Sequence, residues 1–176
     1  MKIRILFFLT FLCFGCSKVT PRKPIEPKPS TTIFKETIKE SKKINTIEDD
    51  KIISLIKKDS ARNYIVSTKG FWYTYINKID QEKPTPKTGD EVVLEYNIID
   101  LENNIIYSKE DLGLKNYKVD KEDFISALQS GIKLMKVGET ITFVIPSYSA
   151  FGISGDENKI GINQSIKSTV TLINIK

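Results

Sequence analysis

The sequence predicts an α+β domain in which one short helix packs on an antiparallel sheet, preceded by a helical N-terminal extension. From residue 70 onward, apolar and polar side chains alternate with a period of two, which is typical of strands with one buried face. Among these strands a single segment, residues 120–131, has helical spacing. One helix among several closely spaced strands indicates an α+β class.

The composition excludes several kinds of chemistry. The chain has 176 residues, no histidine and two cysteines. A Ser-His-Asp triad, a Cys-His dyad and a histidine metal site are therefore impossible, and two cysteines cannot build a structural zinc site. If the protein is an enzyme, its reaction needs neither a metal held by soft ligands nor a near-neutral imidazole base. We expect no cofactor and no metal site.

The first residues, MKIRILFFLTFLCFGC, are typical of an export signal. Lys2 and Arg4 form a basic start. The apolar stretch of ten residues that follows, interrupted only by Thr10, is too short to span a bilayer. The small residue before Cys16 resembles a bacterial lipobox, although Cys13 stands where leucine is usual. We predict a signal peptide over residues 1–15 and a lipidated Cys16. The alternatives are a plain signal peptide cut elsewhere or a buried N-terminal helix.

A proline-rich tether follows the predicted lipid anchor, over residues 16–33. Four of the seven prolines lie in it, which favours an extended, solvated chain. Removal of the signal peptide leaves 25 basic and 22 acidic side chains, and a basic excess lies in this tether. A nucleic-acid-binding arm is the alternative, but on an exported chain a spacer beside anionic lipid is favoured. We therefore expect a membrane attachment and no nucleic acid.

A helical extension is predicted over residues 34–60. Thr46 and the acidic residues after it indicate a helix near 46–58, and a weaker helix is expected near 34–43. An apolar face in the second helix predicts packing on the following domain. A role in docking a partner or in dimerisation is the alternative.

The remaining segment, residues 70–176, contains the strands and one helix. Asp120 is the expected N-cap of this helix, Asp123 completes a capping box, and Gly131 lies near the C-terminal end. Strands are predicted at 71–79, 91–99, 105–108, 117–119, 139–146 and 166–176, with a glycine-rich loop over 147–165.

Several motifs in this segment resemble those of FKBP-type peptidyl-prolyl cis-trans isomerase domains. They are GDEVVLEY at 89–96, IIYS at 105–108, FISALQSGI at 124–132, MKVGE at 135–139, and PSYSAFG at 146–152 followed by Ile160. The resemblance implies an FKBP-like sheet wrapped on its helix. It also implies a pocket for proline, formed by Tyr96, Ile106, Phe124, Ile125, Leu128, Phe151 and Ile160.

The resemblance also implies individual roles and departures. The backbone amide of Ile125 would donate to the substrate carbonyl. Leu128 stands where the family has a tryptophan floor, Phe151 replaces a tyrosine hydroxyl donor, Tyr107 replaces an aspartate and Ser168 replaces a phenylalanine. We therefore expect weak but measurable isomerase activity and weak binding of macrolide ligands.

The reaction suits a chain without histidine. Rotation about an amide has a barrier of roughly 18–20 kcal/mol, and a dry apolar pocket lowers it without proton transfer. The nearby residues 156–158 are favoured as a solvated turn over a calcium loop, since their spacing and ligand count are poor.

Four further features extend the resemblance beyond the domain: the lipobox, the proline-rich spacer, GFWYTY at 70–75 and GDENKIG at 155–161. With them, the whole chain resembles the FKBP-type lipoproteins associated with gliding motility in Bacteroidota. This similarity implies a lipid-anchored envelope protein that faces the periplasm. Ser17, which follows Cys16, is compatible with sorting to the outer membrane. Its partners would be proline-containing exported polypeptides. The alternatives are a catalytically weak FKBP-like chaperone or binding module, and a structural lipoprotein of an envelope complex.

Overall fold

The structure is a computed structural model that describes residues 31–176 of the chain. The predicted signal peptide, Cys16 and most of the tether lie outside the described residues and stay predictions. The described part begins with the helix α1 (Thr31–Lys58), and residues 37–176 form one compact unit. None of the helices in this part of the chain is both long and apolar enough to cross a membrane.

Within residues 59–176, eight strands and three short helices follow α1. The strands are β1 (Ile65–Val66), β2 (Trp72–Asn77), β3 (Glu91–Tyr96), β4 (Ile98–Ile99), β5 (Ile105–Tyr107), β6 (Lys115–Lys118), β7 (Thr140–Ile145) and β8 (Ile166–Ile175). The helices are α2 (Lys109–Leu112), α3 (Ser126–Ile132) and a 3-10 helix (Ser147–Ser149).

The strands form one antiparallel sheet with the order β1-β2-β7-β8-β3-β6, while β4 pairs with both β5 and β8. On the central pair β7 and β8, Thr142 lies opposite Thr169, and their hydroxyl oxygens are 2.8 Å apart. A hydrogen bond of this kind between facing side chains stabilises the pairing of the two strands. The predicted α+β architecture is confirmed.

The main hydrophobic core lies between α3 and one face of the sheet. Phe143 on β7 is fully buried and contacts Phe71 edge-on, with 5.8 Å between ring centroids. Gly131 on α3 lies so close to this ring that an added Cβ would be 2.4 Å from Phe143 Cε1. Glycine is therefore needed here for close packing of the helix on the sheet.

A second cluster lies on the opposite face of the sheet. Ile52 of α1 is fully buried there against Trp72, Leu101 and Val144. The aromatic residues around the start of β2 therefore contribute to both faces of the sheet. Phe71 and Tyr73 pack in the main core, and Trp72 between them packs in the second cluster. The prediction that α1 packs on the domain is confirmed for its C-terminal half.

The prediction of two separate helices before the domain is wrong, because α1 is continuous. Thr46 was expected to start the second helix, but its hydroxyl donates to the carbonyl of Lys42 at 2.9 Å. This bond, four residues back along the chain, is made by threonines inside helices. Residues 31–58 also contain neither glycine nor proline that could break the helix.

The prediction that Asp120 caps a helix over 120–131 is also wrong. Asp120 has a φ of 58°, in the left-handed region, and its carboxylate accepts hydrogen bonds from Thr88 and Lys133. The helix α3 begins only at Ser126, and no side chain caps it, so Asp123 forms no capping box. The tertiary contacts of Asp120 with Thr88 and Lys133 hold it in a turn instead.

A capping box does exist one element earlier, at the unpredicted helix α2. Ser108 accepts from the amide of Asp111, and the Asp111 carboxylate accepts from the amide of Ser108. The pattern Ser-x-x-Asp was visible in the sequence. The strand expected at 91–99 is also interrupted, at Asn97, whose side chain accepts from the amide of Thr169.

The glutamate of the MKVGE motif has a structural role. Glu139 is 1% exposed, and its two carboxylate oxygens accept from the amides of Ile79 at 3.0 Å and Lys136 at 2.8 Å. It therefore ties the segment after β2 to the turn before β7. Because the carboxylate is hydrogen-bonded on both oxygens, its burial is compensated.

Candidate active site

A cavity of about 410 Å³ opens at one end of the main core. It lies between the end of β3, the end of β5, the loop before α3 and the loop after the 3-10 helix. Its volume lies within the usual range for ligand pockets. The residues that line it are Tyr96, Ile98, Tyr107, Leu112, Asp123, Phe124, Ile125, Ala150, Phe151 and Asp156.

The structure brings four of the seven predicted pocket residues together around this cavity: Tyr96, Phe124, Ile125 and Phe151. The other three, Ile106, Leu128 and Ile160, do not line it. Leu128 is fully buried in the core, Ile160 is 3% exposed, and Ile106 is half-buried at the edge of the core.

Two aromatic rings, those of Tyr96 and Phe124, form one wall of the cavity. Phe124 packs edge-on against Tyr96, with 5.4 Å between centroids, and its other neighbour is Tyr117 at 5.2 Å. Tyr96 is 9% exposed, and burial raises the pKa of its hydroxyl. The wall therefore presents neutral, apolar ring surface to a ligand.

The backbone at Ile125 presents a hydrogen-bond donor at the cavity. The carbonyl groups of Phe124 and Ile125 both accept hydrogen bonds from Gln129, each at 2.9 Å. The Gln129 side-chain amide donates to Phe124, and its backbone amide donates to Ile125. The Ile125 amide itself has no acceptor among residues 31–176. It is thus available to a carbonyl group of a bound peptide.

The loop that carries Phe151 is held by its own backbone. The Ser147 carbonyl accepts from the amides of Ala150 at 2.9 Å and Gly152 at 2.8 Å, on either side of Phe151. The amide of Asn163, near the far end of the loop, donates to the Gly152 carbonyl at 2.9 Å. Phe151 is half-buried in this arrangement, with its ring at the cavity.

Tyr107 and Asp156 form a hydrogen-bonded pair at the polar edge of the cavity, which the sequence did not predict. The Tyr107 hydroxyl donates to Asp156 Oδ2, and Asp156 Oδ1 accepts from the amides of Asn158 at 3.0 Å and Ile160 at 2.7 Å. Asp156 thus organises the turn predicted at 156–158 and also faces the cavity. The Asp-x-Asn spacing predicts such a turn but not its tyrosine partner.

No metal site is evident in the described part of the chain. Residues 31–176 contain no group of three or more Cys, Asp or Glu side chains placed to hold a metal ion. The carboxylate of Asp156 already accepts three hydrogen bonds from the protein. The cavity therefore presents aromatic surface, the backbone amide of Ile125, and a polar edge at which Asp156 already accepts hydrogen bonds from the protein.

A family model described as FKBP-type peptidyl-prolyl cis-trans isomerase matches residues 82–173, slightly more than half of the chain. The chain belongs to this family of isomerases. The match contains all of the cavity residues, and this FKBP-type domain also includes β2, which lies before the matched range.

Solved structures share the fold of this FKBP-type domain. A peptidyl-prolyl cis-trans isomerase from Pseudomonas syringae pv. tomato is 19% identical, with a TM-score of 0.60 over 77% of this chain and 96% of that one. FkpA from Escherichia coli is 20% identical, with a TM-score of 0.60 over 100% of this chain and 82% of that one. The N-terminal domain of FKBP42 from Arabidopsis thaliana is 16% identical, with a TM-score of 0.57 over 65% of this chain and 92% of that one. The predicted FKBP-like fold is confirmed.

The geometry of the cavity suits the isomerase chemistry. A peptidyl-prolyl bond loses its resonance as it twists, so its carbonyl becomes less polar and a less aqueous site favours the twisted form. Tyr96, Phe124 and Phe151 supply that surface. The Ile125 amide can hold a neighbouring substrate carbonyl, which fixes the peptide while the bond rotates.

The Tyr107–Asp156 pair is expected to be insensitive to pH near neutrality. Burial acts to raise the pKa of Asp156, but hydrogen bonds from the Tyr107 hydroxyl and from backbone amides outweigh this effect and lower the pKa. The hydrogen bond to Asp156 raises the pKa of Tyr107. The stability that Asp156 contributes is thus present above its unfolded pKa of about 3.9 and lost as the pH falls through its lower folded pKa.

Tyr107→Phe removes the hydroxyl of this pair. We expect the variant to unfold at lower urea concentration than the natural protein, by an amount that is constant from about pH 5 to about pH 9 and shrinks below about pH 4. Urea unfolding at several pH values measures this difference. A difference that titrates near neutral pH would contradict the assignment.

Proposed function

We propose that this FKBP-type isomerase is an envelope lipoprotein, anchored through Cys16, that acts on proline-containing segments of exported polypeptides. The domain would face the periplasm from the outer membrane. The signal-like start, the small residue before Cys16 and the proline-rich tether support export and anchoring. The sequence features that resemble gliding-motility-associated lipoproteins, among them GFWYTY at 70–75 and GDENKIG at 155–161, support a role in motility or in the secretion machinery that serves it.

The observation that carries the catalytic part of the proposal is the free Ile125 amide beside the aromatic wall. Among residues 31–176 it has no acceptor, and it lies at the cavity with Tyr96, Phe124 and Phe151. A proline ring fits apolar surface, and the amide provides the donor that orients the peptide. Both features suit prolyl isomerisation, and neither requires a titrating group.

We propose that the catalysis is weak. Phe151 has no hydroxyl to donate to a substrate, and the Tyr107 hydroxyl already donates to Asp156. Fewer polar groups are therefore available to hold a peptide in the orientation for rotation. The same observation favours a second candidate function, a binding module or chaperone that retains proline-containing segments with little rate enhancement.

Exchange NMR on an X-Pro peptide, with the purified full-length protein in detergent, separates these two functions. We expect cis-trans exchange faster than the uncatalysed rate, and Phe151→Ala to lower it. Exchange at the uncatalysed rate, with peptide signals still shifted by binding, would favour the binding module. If the protein neither accelerates the exchange nor shifts the peptide signals, both functions are contradicted.

Metabolic labelling with a radioactive fatty acid tests the anchor. We expect the label to enter the natural protein and to be absent from Cys16→Ser, which should also leave the membrane fraction. Cys13→Ser serves as the matched control, because Cys13 would be removed with the signal peptide. Labelling that survives Cys16→Ser would contradict the anchoring proposal.

A further inference from the structure

A glutamate on α1 contacts both ends of the loop that carries Phe151. Glu48 Oε1 accepts from the Ser147 amide at 2.7 Å and from the Ser165 hydroxyl, and Glu48 Oε2 accepts from the Ser147 hydroxyl at 2.9 Å. Ser147 and Ser165 are 3% and 9% exposed. Three donors, from residues 99 and 117 positions away in sequence, thus converge on one carboxylate.

Ser147 connects this carboxylate to the cavity. Its amide and hydroxyl donate to Glu48, while its carbonyl accepts from the amides of Ala150 and Gly152. These two residues are the direct neighbours of Phe151. A displacement of Ser147 would therefore displace the backbone on both sides of the Phe151 ring.

The neighbouring residue on α1 supports the same contact. Asp49 Oδ1 accepts from the Tyr148 hydroxyl at 2.9 Å, and the Tyr148 ring lies beside Gly70, 3.5 Å from where a Cβ would be. Burial, followed by the hydrogen bond to Asp49, raises the pKa of Tyr148, so the hydroxyl remains a donor. The 3-10 helix is thus held to α1 at two consecutive residues.

We propose that Glu48 is a positioning residue for the isomerase pocket, acting through Ser147 and Ser165 on the loop that carries Phe151. The helix α1 is then part of the catalytic unit and not only a spacer before it. This inference rests on the proposed use of the pocket for prolyl isomerisation. It makes the rate depend on a residue that lies outside the family match, which begins at residue 82.

A carboxylate is suited to this position because it only accepts hydrogen bonds, and it has room for three donors. A glutamine can replace most of this arrangement, since its oxygen accepts from two donors and its amide group donates to a serine hydroxyl. An alanine removes all three bonds. The pair Glu48→Gln and Glu48→Ala therefore separates loss of the contact from loss of the charge.

The experiment compares these variants with Glu40→Ala, a substitution at an exposed position of the same helix. For the full-length protein in detergent, we expect Glu48→Ala to lower kcat/KM for an X-Pro peptide about tenfold. Glu48→Gln should retain activity within about threefold, and Glu40→Ala should leave it unchanged. All rates are measured at a temperature where circular dichroism shows the variants folded.

Hydrogen exchange provides a readout that a general loss of stability would not change. In Glu48→Ala we expect faster exchange in fragments covering residues 147–163, with unchanged exchange in β7 and β8. Equal activity of Glu48→Ala and Glu40→Ala would overturn the inference, as would a rate loss with uniform exchange. If Glu48→Ala does not fold, Ser165→Ala removes one bond only and should lower kcat/KM about threefold with the same local exchange.

The proposed function can fail separately. If the natural protein does not accelerate exchange, the prolyl isomerase proposal fails for this pocket. The local exchange of residues 147–163 in Glu48→Ala still shows whether Glu48 holds the loop. If the natural protein is active but Glu48→Ala and Glu40→Ala have equal activity, only the positioning role of Glu48 is wrong.

Discussion

Replacement of Ile125 by proline is expected to lower kcat/KM for an X-Pro peptide by about tenfold to about a hundredfold, while the fold is retained. The substitution removes the amide hydrogen of Ile125, which lines the cavity, and the loss of a single oriented donor has effects of at least this size in other enzymes. The backbone tolerates it, because Ile125 has a φ of −55°, close to the value that proline requires. Phe124, the preceding residue, lies outside any helix.

The matched control is Ile125→Ala, which removes most of the same side chain but keeps the amide hydrogen. Ile125 is 7% exposed, so both variants lose apolar packing, and the difference between them isolates the donor. Exchange NMR on the same peptide gives both rates. Equal loss in the two variants would show that the amide makes no contribution to catalysis.

The strands of the domain could be predicted because their alternation reflects burial on the two faces of one sheet. Phe71 and Tyr73 pack in the main core, while Trp72 packs against Ile52 of α1, as alternation along a strand requires. The closing strand was predicted at 166–176 and is observed at Ile166–Ile175. Periodicity is a local property, so the sequence is sufficient to show it.

The helix boundaries could not be predicted in the same way, because a short polar side chain that could cap a helix can form its hydrogen bonds elsewhere instead. Asp120 looks like an N-cap, but it accepts from Thr88 and Lys133, and this holds it in a turn. Thr46 looks like a helix start, but the helix continues through it and its hydroxyl donates to the preceding turn. A short polar side chain offers the same hydrogen bonds in both settings.

The candidate site likewise contains residues that the sequence predicts and contacts that it does not. Its aromatic residues, such as Tyr96 and Phe124, were predicted from motifs that resemble a known family, and the structure places them around one cavity. The Tyr107–Asp156 bond joins residues 49 positions apart, and the Glu48–Ser147 bond joins residues 99 positions apart. Nothing in the local sequence of either partner indicates the other, so these contacts required the structure.

Leu128 is the predicted pocket residue whose position in the structure gives the largest expected effect on stability. It was expected to floor the pocket, in place of a family tryptophan. It is fully buried in the main core on α3 and does not line the cavity. We therefore expect Leu128→Ala to lower the free energy of unfolding by roughly 2–5 kcal/mol, through lost burial and the space left behind.

Leu128→Met is the matched control, since it nearly conserves volume and should cost less than about 1.5 kcal/mol. Urea unfolding with an unchanged slope measures both values.

Exchange NMR on the folded fraction then separates a role of Leu128 in the core from a role as the floor of the pocket. If Leu128 only supports the wall from within the core, kcat/KM per folded molecule should fall less in Leu128→Ala than in Phe151→Ala. A small change in stability with a larger loss of rate would instead place the side chain at the bottom of the working pocket, because a residue that contacts the proline affects the rotating bond more than the fold.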